Sequence, residues 1–419
     1  MMDYSEFPDQ QIACIDIRSF YASCAAAIEG LDVMRDMIAV VSNLSQKGSV
    51  VLAASPPLKS KYKVKTGTRL YEIPNDPSIY LIEPQMEMYL NISMEIPKLL
   101  NQYVPMEAIH VYSVDECFFS LAGTERLWGP MEQTIERIRY NLVDQFQLPS
   151  AVGAGPNRLM AKLALDLEGK KTGYAKWTYK DIPKKLWPVS PLSKMWGIGK
   201  RTEKTLNDMG IYTVGDLANA ELSRLEKKFG VLGNQLYHHA WGIDLSKMGA
   251  PLLEGQVSYG KSQILMRDYN KVAEVKVVLL EMCEEVARRT RESNKAGRTI
   301  SLGIGYSKNM LGGGFYRSRT IYEATNDTMQ IYAVCKELLE EFHDGRPVRQ
   351  ISISITKLED EHSVQLSLFD EQKWRNRQLG TAMDQIRTRY GSTAILRAVS
   401  LTDAGTAIKR SRLVGGHKG

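Results

Sequence analysis

Two apolar, β-rich segments of the chain carry acidic residues where a strand normally buries hydrophobic ones. Residues Ile12 to Ile17 (IACIDI) are typical of a short buried strand, with Asp16 near its end. The stretch His110 to Leu121 contains the adjacent acids Asp115 and Glu116. Ionised carboxylates are costly in apolar surroundings unless they are paired or bind a metal. On neighbouring strands the acids could converge on two Mg²⁺ ions, as two-metal phosphoryl transfer requires, or cap strand ends and pair with Lys or Arg.

The order of predicted elements indicates a chain with more than one domain. A length of 419 residues exceeds the size at which one hydrophobic core keeps growing, so at least two domains are expected. Strands mixed with helices predict an α/β or α+β core in the first part. Short helices punctuated by glycines predict a helical module over 192–244, followed by a linker at 249–255. A βαββαβ unit is predicted over 257–356, and the segment from Lys357 onward is predicted to be an appendage.

Composition narrows the function classes. No apolar run is long enough to cross a bilayer, and the segment from Met1 to Gln11 lacks the features of a secretory signal. The five cysteines are scattered without a CxxC pair, so buried reduced thiols in a cytoplasmic protein are expected. From Glu371 onward there are 10 Lys and Arg against 3 Asp and Glu, so the net charge of +6 lies in this segment. Nucleic-acid binding must therefore rest on local basic patches, such as residues 59–69 and the tail.

The sequences around the acids are IDIRSFYAS and YSVDECFFSL. They resemble the metal-binding motifs of Y-family, translesion DNA polymerases, in particular those of the UmuC-like bacterial branch. The resemblance extends over residues from about 12 to 370. It implies that Asp16 and Asp115 bind both ions, that Glu116 lies beside the primer 3′-hydroxyl, and that Ile17 offers a backbone carbonyl ligand. The implied cofactor is a pair of Mg²⁺ ions, with Mn²⁺ as a substitute.

The same resemblance assigns contacts to the incoming nucleotide. Phe20 and Tyr21 follow the first motif at the family's spacing. Both are implied to bind the nucleotide, and Tyr21 matches the steric gate, a ring packed where a ribonucleotide's 2′-hydroxyl would clash. The alternative is that both rings belong to the hydrophobic core.

Two lysine-bearing segments resemble the parts of the family that bind the triphosphate. In VLAASPPLKSKYKVKTG the basic position falls on Lys59, with Lys61 as the local competitor. In AVGAGPNRLMAKLALDLEGKKTG it falls on Lys170, with Lys171 as the alternative. Each segment is one residue longer than the family's pattern, so both choices stay open.

Two further segments resemble the modules that hold DNA. The sequence WGIGK resembles a helix-hairpin-helix, in which Gly197, Gly199 and Lys200 offer backbone amides to a DNA phosphate. The βαββαβ unit resembles the little finger of the family, whose sheet lies along DNA. Basic residues there either contact phosphates or form a solvated face. The candidates are Arg298, Arg317 and Arg319.

The segment QLSLF follows the last predicted strand and resembles the pentapeptide by which bacterial polymerases bind the sliding clamp. Two leucines and an aromatic ring can fill an apolar groove, while the glutamine fixes the register. The implied contacts are Gln365, Leu366, Leu368 and Phe369. The basic tail beyond it could add DNA contacts, bind another repair protein, or pack on the body through Met383, Ile386 and Tyr390.

The resemblance implies an α+β multidomain fold, the right-hand polymerase architecture. The expected parts are palm 1–19 and 83–174, fingers 20–82, helix-hairpin-helix thumb 175–244, βαββαβ little finger 252–357, and tail 358–419. The implied activity is DNA-directed DNA synthesis of translesion type, with low fidelity and no proofreading, in DNA damage tolerance and mutagenesis.

Two alternatives to a polymerase are a catalytically weak or inactive DNA- and clamp-binding scaffold of a mutagenic repair complex, and a metal-dependent nuclease. The expected partners are primer-template DNA, a dNTP, the sliding clamp, and recombination or mutasome accessory proteins, with no membrane. The expected location is the bacterial cytoplasm, at the nucleoid during synthesis.

Overall fold

The computed structural model describes residues 3–249, 258–307, 312–361 and 371–418. The chain divides into two compact units, residues 1–250 with 417–419 and residues 251–416. In the described ranges, no helix is long and apolar enough to cross a membrane.

The first unit contains a sheet in the order β5-β6-β1-β7-β8. The predicted strand IACIDI is its central strand, and burial of its apolar residues (0–1% exposed) explains why an apolar run forms it. Gly153 of the neighbouring strand allows a helix to pack closely, because a Cβ there would lie 2.2 Å from the carbonyl oxygen of Ala161. The strands are β1 (Ile12–Ile17), β5 (Ile109–Val111), β6 (Glu116–Ser120), β7 (Ser150–Gly155) and β8 (Tyr174–Lys176).

A smaller sheet in the order β3-β2-β4 follows the first helix of the unit. Its strands are β2 (Met37–Val41), β3 (Val51–Ala54) and β4 (Ile79–Ile82). The helices up to the end of the main sheet are α1 (Phe20–Glu29), α2 (Pro56–Tyr62), α3 (Met86–Leu100), α4 (Glu125–Trp128), α5 (Met131–Phe146), α6 (Arg158–Ala164) and α7 (Lys170–Thr172). A π-helical turn, Leu165–Gly169, joins α6 to α7.

Short helices complete the first unit and share a core with α6. They are α8 (Lys200–Asp208), α9 (Val214–Ala218), α10 (Leu222–Phe229) and α11 (Val231–Ala240). This agrees with the glycine-punctuated helical module predicted from Leu192 onward. Further 3₁₀ or π turns lie at Leu70–Glu72, Met106–Ala108, Tyr179–Asp181, Ile182–Leu186 and Leu192–Lys194.

The second unit confirms the predicted βαββαβ order. Its antiparallel sheet runs β11-β10-β12-β9, and α12 and α13 bury their apolar sides against it. The elements are β9 (Ser258–Tyr269), α12 (Val272–Glu292), β10 (Lys295–Tyr306), β11 (Gly314–Thr325), α13 (Thr328–Phe342) and β12 (Val348–Asp360).

The tail up to residue 416 belongs to the second unit and packs on α12, whereas residues 417–419 are grouped with the first unit. Ala404 lies in the hydrophobic core of the unit, and its carbonyl accepts a hydrogen bond from the Tyr269 hydroxyl at 2.9 Å. Met383 is buried, whereas Ile386 and Tyr390 are exposed, so only one of the three apolar positions proposed for packing is covered. The tail elements are α14 (Glu371–Tyr390), a 3₁₀ turn Ala398–Leu401, α15 (Ala407–Arg410), β13 (Leu413–Val414) and β14 (His417–Lys418).

Candidate active site

The main sheet brings the three predicted acids to one end of its central strands. β1 pairs antiparallel with β6, and their register sets Asp16 opposite Glu116. The amide of Ile17 donates to the carbonyl of Asp115 at 3.0 Å. Acids almost a hundred residues apart in sequence therefore meet because two apolar strands pair.

A tight turn before β6 presents Asp115. The amides of Tyr112 and Ser113 both donate to the Glu116 carbonyl, at 2.9 and 3.1 Å. The Ser113 hydroxyl donates to Asp115 Oδ1 at 2.7 Å and so orients this half-buried carboxylate. The Ser93 hydroxyl, from α3, donates to the Val114 carbonyl at 2.6 Å and holds the turn.

Two lysines compensate the charge of this acidic cluster. Lys170 Nζ lies 2.9 Å from Asp16 Oδ2, 2.9 Å from Asp166 Oδ1 and 3.7 Å from Glu116 Oε1. Lys162, whose side chain is only 6% exposed, contacts Glu116 Oε1 and lies 3.2 Å from Asp166 Oδ1. Both lysines thus bridge a predicted acid to Asp166.

Sequence reasoning missed Lys162 and Asp166. A signal was available, because Arg158, Lys162, Asp166 and Lys170 are spaced by four residues and so share one side of a helical segment. What the spacing could not show is that this side faces Glu116 rather than solvent. Lys171 has no ion pair with the described residues, so the geometry favours Lys170 over its neighbour.

Burial and charge pairing oppose one another in the cluster. Burial raises the pKa of Asp16 to about 7, although the Lys170 ammonium lowers it, and a hydrogen bond with Glu116 adds to the rise. Burial lowers the pKa of Lys170, but Asp16 and Asp166 outweigh it and the net shift is upward. The Lys170 ammonium therefore remains charged and partly neutralises the acids.

The donor set suits a hard divalent cation, because it consists of carboxylates and a backbone carbonyl. Within the described residues, however, no three His, Cys, Asp or Glu side chains form a ready cluster for a metal ion. Lys170 Nζ contacts two of these acids, Asp16 and Glu116, so a cation bound between them would compete with this ammonium.

A second basic group lies close to Asp16. Lys59, near the end of α2, donates to the Ser19 hydroxyl at 2.7 Å. Burial lowers its pKa, nearby Asp16 raises it, and nearby Lys170 lowers it. Its competitor Lys61 instead pairs with Asp76 at 3.4 Å, so the structure brings Lys59 and not Lys61 to the acids.

The residue that links β1 to α1 leaves a helix N-terminus near Lys59. Ser19 adopts a left-handed conformation (φ 49°), and α1 begins directly after it at Phe20. The first amides of a helix have no acceptor inside the helix and carry a partial positive charge. The Lys59 ammonium and this N-terminus together form an anion-attracting corner beside Asp16.

The two aromatic residues at the start of α1 occupy different environments. Phe20 is 4% exposed and lies in the core. Tyr21 is half-buried and stacks on Tyr89 of α3, with ring centroids 5.2 Å apart and planes at 19°. Burial and the charge of Asp115 both raise the Tyr21 pKa. Tyr89, which sequence reasoning did not single out, thus fixes the Tyr21 ring beside the acidic cluster.

The WGIGK hairpin precedes α8 in the helical module. Gly197 has a φ of 92°, a conformation that favours glycine, and Gly197, Gly199 and Lys200 are all exposed. α8 begins at Lys200, so the amides of its first turn face outward without a helical acceptor. The three predicted residues therefore form one exposed, amide-rich turn.

The three arginines proposed on the little-finger sheet are already engaged within the second unit. Arg317 and Arg319 share one face as expected, but it is the face covered by helices, because they lie opposite the buried Leu302 and Ile300. Arg319 pairs with two acids of α13, and Arg317 lies over the ring of Phe342. Arg298 pairs with Glu359 at 2.5 Å. Gln365, Leu366, Leu368 and Phe369 of the clamp motif lie outside the described residues.

Three family models match the chain. The impB/mucB/samB family matches residues 15–166, its C-terminal domain matches 256–368, and the HHH motif of the IMS family matches 179–211. The first range contains all three acids, and the last contains the WGIGK hairpin.

Full-length relatives extend the similarity to the whole chain. A protein named putative UV-damage repair protein UvrX, from Bacillus subtilis (strain 168), is 55% identical over 100% of both chains. A protein named DNA polymerase IV 2 from the same organism is 36% identical over 98% of this chain and 99% of its own length. A solved Y-family DNA polymerase chimera (Dbh-Dpo4(243-245)-Dbh) has the same fold, with a TM-score of 0.64, 20% identity, and coverage of 83% of this chain and 98% of that chain.

The chain belongs to the Y family of DNA polymerases, and it is a DNA-directed DNA polymerase of the translesion type. The expected α+β multidomain polymerase fold is confirmed by the same comparisons.

Proposed function

We propose that Asp16, Asp115 and Glu116 are the catalytic and metal-binding residues with which this polymerase adds deoxynucleotides to a primer end. The observation that carries the proposal is the register of β1 and β6, which places the three acids at one end of the central strands. The proposed palm is 1–19 and 83–174, with fingers 20–82, thumb 175–244, little finger 252–357 and tail 358–419. Low fidelity without proofreading, in damage tolerance and mutagenesis, is part of the proposal.

The carboxylates and the Ile17 carbonyl would hold two Mg²⁺ ions, with Mn²⁺ as a substitute. When bound, such ions activate the primer 3′-hydroxyl and neutralise charge on the transferred phosphate and the leaving group. Ser113 keeps the Asp115 carboxylate oriented before binding. Lys162 keeps Glu116 in place, because its buried ammonium has this carboxylate and that of Asp166 as partners.

The triphosphate is proposed to bind at the corner formed by Lys59 and the N-terminus of α1, where Phe20 contributes through its backbone. Lys170 has Asp16 and Asp166 as partners in the free protein. An incoming triphosphate provides a new anionic partner, so Lys170 can leave the carboxylates as they take up cations. One lysine would thus shield the acids in the free enzyme and bind phosphate in the complex.

Tyr21 is proposed to select the sugar. Its ring is braced by Tyr89 at a centroid distance of 5.2 Å, so it cannot easily yield to an additional hydroxyl. Exclusion of this kind needs bulk held in a fixed place.

The DNA substrate is proposed to contact the hairpin at Gly197, Gly199 and Lys200, whose exposed amides can bind a phosphate without reading sequence. Arg298, Arg317 and Arg319 remain candidate DNA contacts of the second unit. Binding DNA would require Arg298 and Arg319 to leave their acidic partners and Arg317 to leave the Phe342 ring. We further propose that the protein works in the cytoplasm at the nucleoid and binds the sliding clamp. Recombination or mutasome proteins are its proposed accessory partners.

Primer extension tests the catalytic assignment. Purified protein is incubated with Mg²⁺, dNTPs and a labelled primer on intact and abasic templates, together with Asp115→Asn and the matched control Asp144→Asn. Asp144 is an exposed acid on α5. We expect extension by wild type and by the control, and loss of extension in Asp115→Asn. Failure of wild type to extend would favour the scaffold, primer shortening would favour the nuclease, and an active Asp115→Asn would remove the acid from the mechanism.

The clamp proposal has its own test. Replacing Leu368 and Phe369 with Ala should abolish stimulation of synthesis by the sliding clamp and leave clamp-free synthesis unchanged. Ser367→Ala, inside the same pentapeptide, is the matched control and should keep the stimulation. If the clamp stimulates the Leu368 and Phe369 double variant as much as it stimulates Ser367→Ala, the motif does not bind the clamp.

A further inference from the structure

A cavity of about 760 Å³ lies inside the second unit, between the edge strand β9, helix α12 and the tail. Its size is that of a pocket for a small ligand. Basic side chains project from all three walls, from Lys261 of β9, from Arg288 and Arg289 of α12, and from Arg387 and Arg410 of the tail.

Lys261 occupies a position where a sheet of this kind normally carries an apolar residue. It lies opposite Ile353, which is 2% exposed, and therefore on the face of β9 that carries the buried Gln263 and Leu265. A lysine is rarely placed at such a position without an acidic partner. In the described part of the chain, the side-chain ammonium of Lys261 has neither an ion pair nor a hydrogen bond.

The acids of the cavity wall are already occupied by other groups. Glu285 pairs with Arg288 at 3.1 Å and with Arg289 at 2.7 Å. Glu284 pairs with two arginines of the tail, Arg387 at 3.1 Å and Arg397 at 2.7 Å. Glu281 accepts hydrogen bonds from the amide and the hydroxyl of Thr406.

Among the cations that line this cavity, Lys261 and Arg410 are therefore the two without an acidic partner in the described residues. Burial lowers the pKa of both, and Arg410 and Arg289 lower that of Lys261 further, although Glu285 opposes the shift. The hydroxyls of Thr388 and Ser392 also line the cavity. Its lining has positive charge in excess and room for an anion.

We propose that this cavity binds a phosphate group through Lys261 and Arg410. The described lining contains no aromatic side chain on which a base could stack, so the ligand is recognised by its phosphate rather than by its base. Phosphates of two sources share this chemistry, a nucleic-acid backbone and a free nucleotide. The site is formed only when the tail is docked, so it gives the tail a role other than clamp binding.

The acylation rate of Lys261 reports whether a ligand covers this residue. The full-length protein, in EDTA, is treated with an N-hydroxysuccinimide acetate, and the acylation rates of Lys261 and of the exposed Lys409 are followed by mass spectrometry. Inorganic tripolyphosphate, dATP and an oligothymidylate are the probes. We expect a bound probe to slow acylation of Lys261 by about tenfold or more while Lys409 is unchanged. If oligothymidylate protects Lys261 at the lowest phosphate concentration, the ligand of the cavity is a nucleic-acid strand. If dATP or tripolyphosphate protects Lys261 more strongly, the ligand is a free phosphate compound.

The proposal is overturned if no probe protects Lys261, or if Lys261 and Lys409 are slowed equally, since equal slowing is general charge screening. A pair of variants adds an independent readout. Arg410→Gln should raise the half-protecting probe concentration about tenfold, whereas the exposed Arg412→Gln should not change it. Protection unaltered by Arg410→Gln would also contradict the site, provided that thermal unfolding shows both variants to be folded.

Discussion

Replacing Lys162 with Met tests whether a buried lysine holds the acidic cluster together. The side chain of Lys162 is 6% exposed and that of its partner Glu116 is 11% exposed, and Lys162 also lies 3.2 Å from Asp166. Met has a similar length and no charge, so the change removes the cation and leaves the acids buried. Breaking a buried ion pair from one side costs about 3 to 5 kcal/mol. Because Lys170 stays 3.7 Å from Glu116, we expect the lower end of this range.

A loss of about 3 kcal/mol in a unit of this size lowers the Tm by about 6 to 12 °C. Tryptophan fluorescence follows the first unit, because five of the six tryptophans of the chain lie there and the other is Trp374. Added Mg²⁺ should restore part of the stability of Lys162→Met, since a cation at Glu116 replaces the missing charge.

The matched control is Lys176→Met. Lys176 pairs with Glu132 at 2.8 Å, but both side chains are about half exposed (45% and 46%). Surface pairs of this kind contribute less than about 1 kcal/mol. If Lys162→Met lowers the Tm no more than Lys176→Met does, the buried network does not stabilise the site as inferred.

Three further expectations concern the nucleotide and the metal. Tyr21→Ala should raise ribonucleotide incorporation relative to deoxynucleotide incorporation by more than about tenfold, whereas Tyr80→Ala, at an exposed position of β4, should not. Unchanged sugar selection in Tyr21→Ala would contradict the gate. Lys59→Ala should raise the KM for dNTP about tenfold, whereas Lys61→Ala should leave this KM unaltered. If the two variants change the KM equally, the choice of Lys59 is contradicted. Asp16 has a pKa of about 7 and is protonated below that pH. Because Mg²⁺ binds the ionised carboxylate, its apparent affinity, measured by calorimetry, should fall about tenfold per pH unit below 7. An affinity that does not change with pH would contradict this.

Elements with a clear local period were predictable from the sequence. The strand Ile12–Ile17 has the bounds that its apolar pattern predicted, and the βαββαβ order of the second unit was also predicted. The meeting of Asp16 with Glu116 was expected as a property of adjacent strands. The burial of Lys162 was not, because it depends on which side of a helix packs against a strand distant in sequence.

The segment before Lys170 was expected to be one residue longer than the family's pattern, which is why sequence spacing alone left two lysines open. A regular helix would carry an inserted residue around by about 100° and move every later side chain to another face. This segment is not a regular α-helix, since it contains the π-helical turn Leu165–Gly169, and Lys170 Nζ lies 2.9 Å from Asp16 Oδ2. Gly169 lets the turn pack closely on β7, since a Cβ there would lie 2.8 Å from the Val152 carbonyl oxygen.

The tail shows why charge counted from sequence does not reveal which charges are free in the structure. Its surplus of basic residues left DNA contacts, another repair protein and packing on the body open, yet several of its charges are paired with opposite charges far away in sequence. Arg387 and Arg397 pair with Glu284, and Asp384 pairs with Arg291 at 2.7 Å. Counting charges cannot reveal these partners, because docking on α12 creates them. Among the tail cations that line the cavity, Arg387 has an acidic partner and Arg410 has none within the described residues. The position of Arg410 in the cavity wall, rather than the bulk basicity of the segment, therefore indicates where an external phosphate would bind.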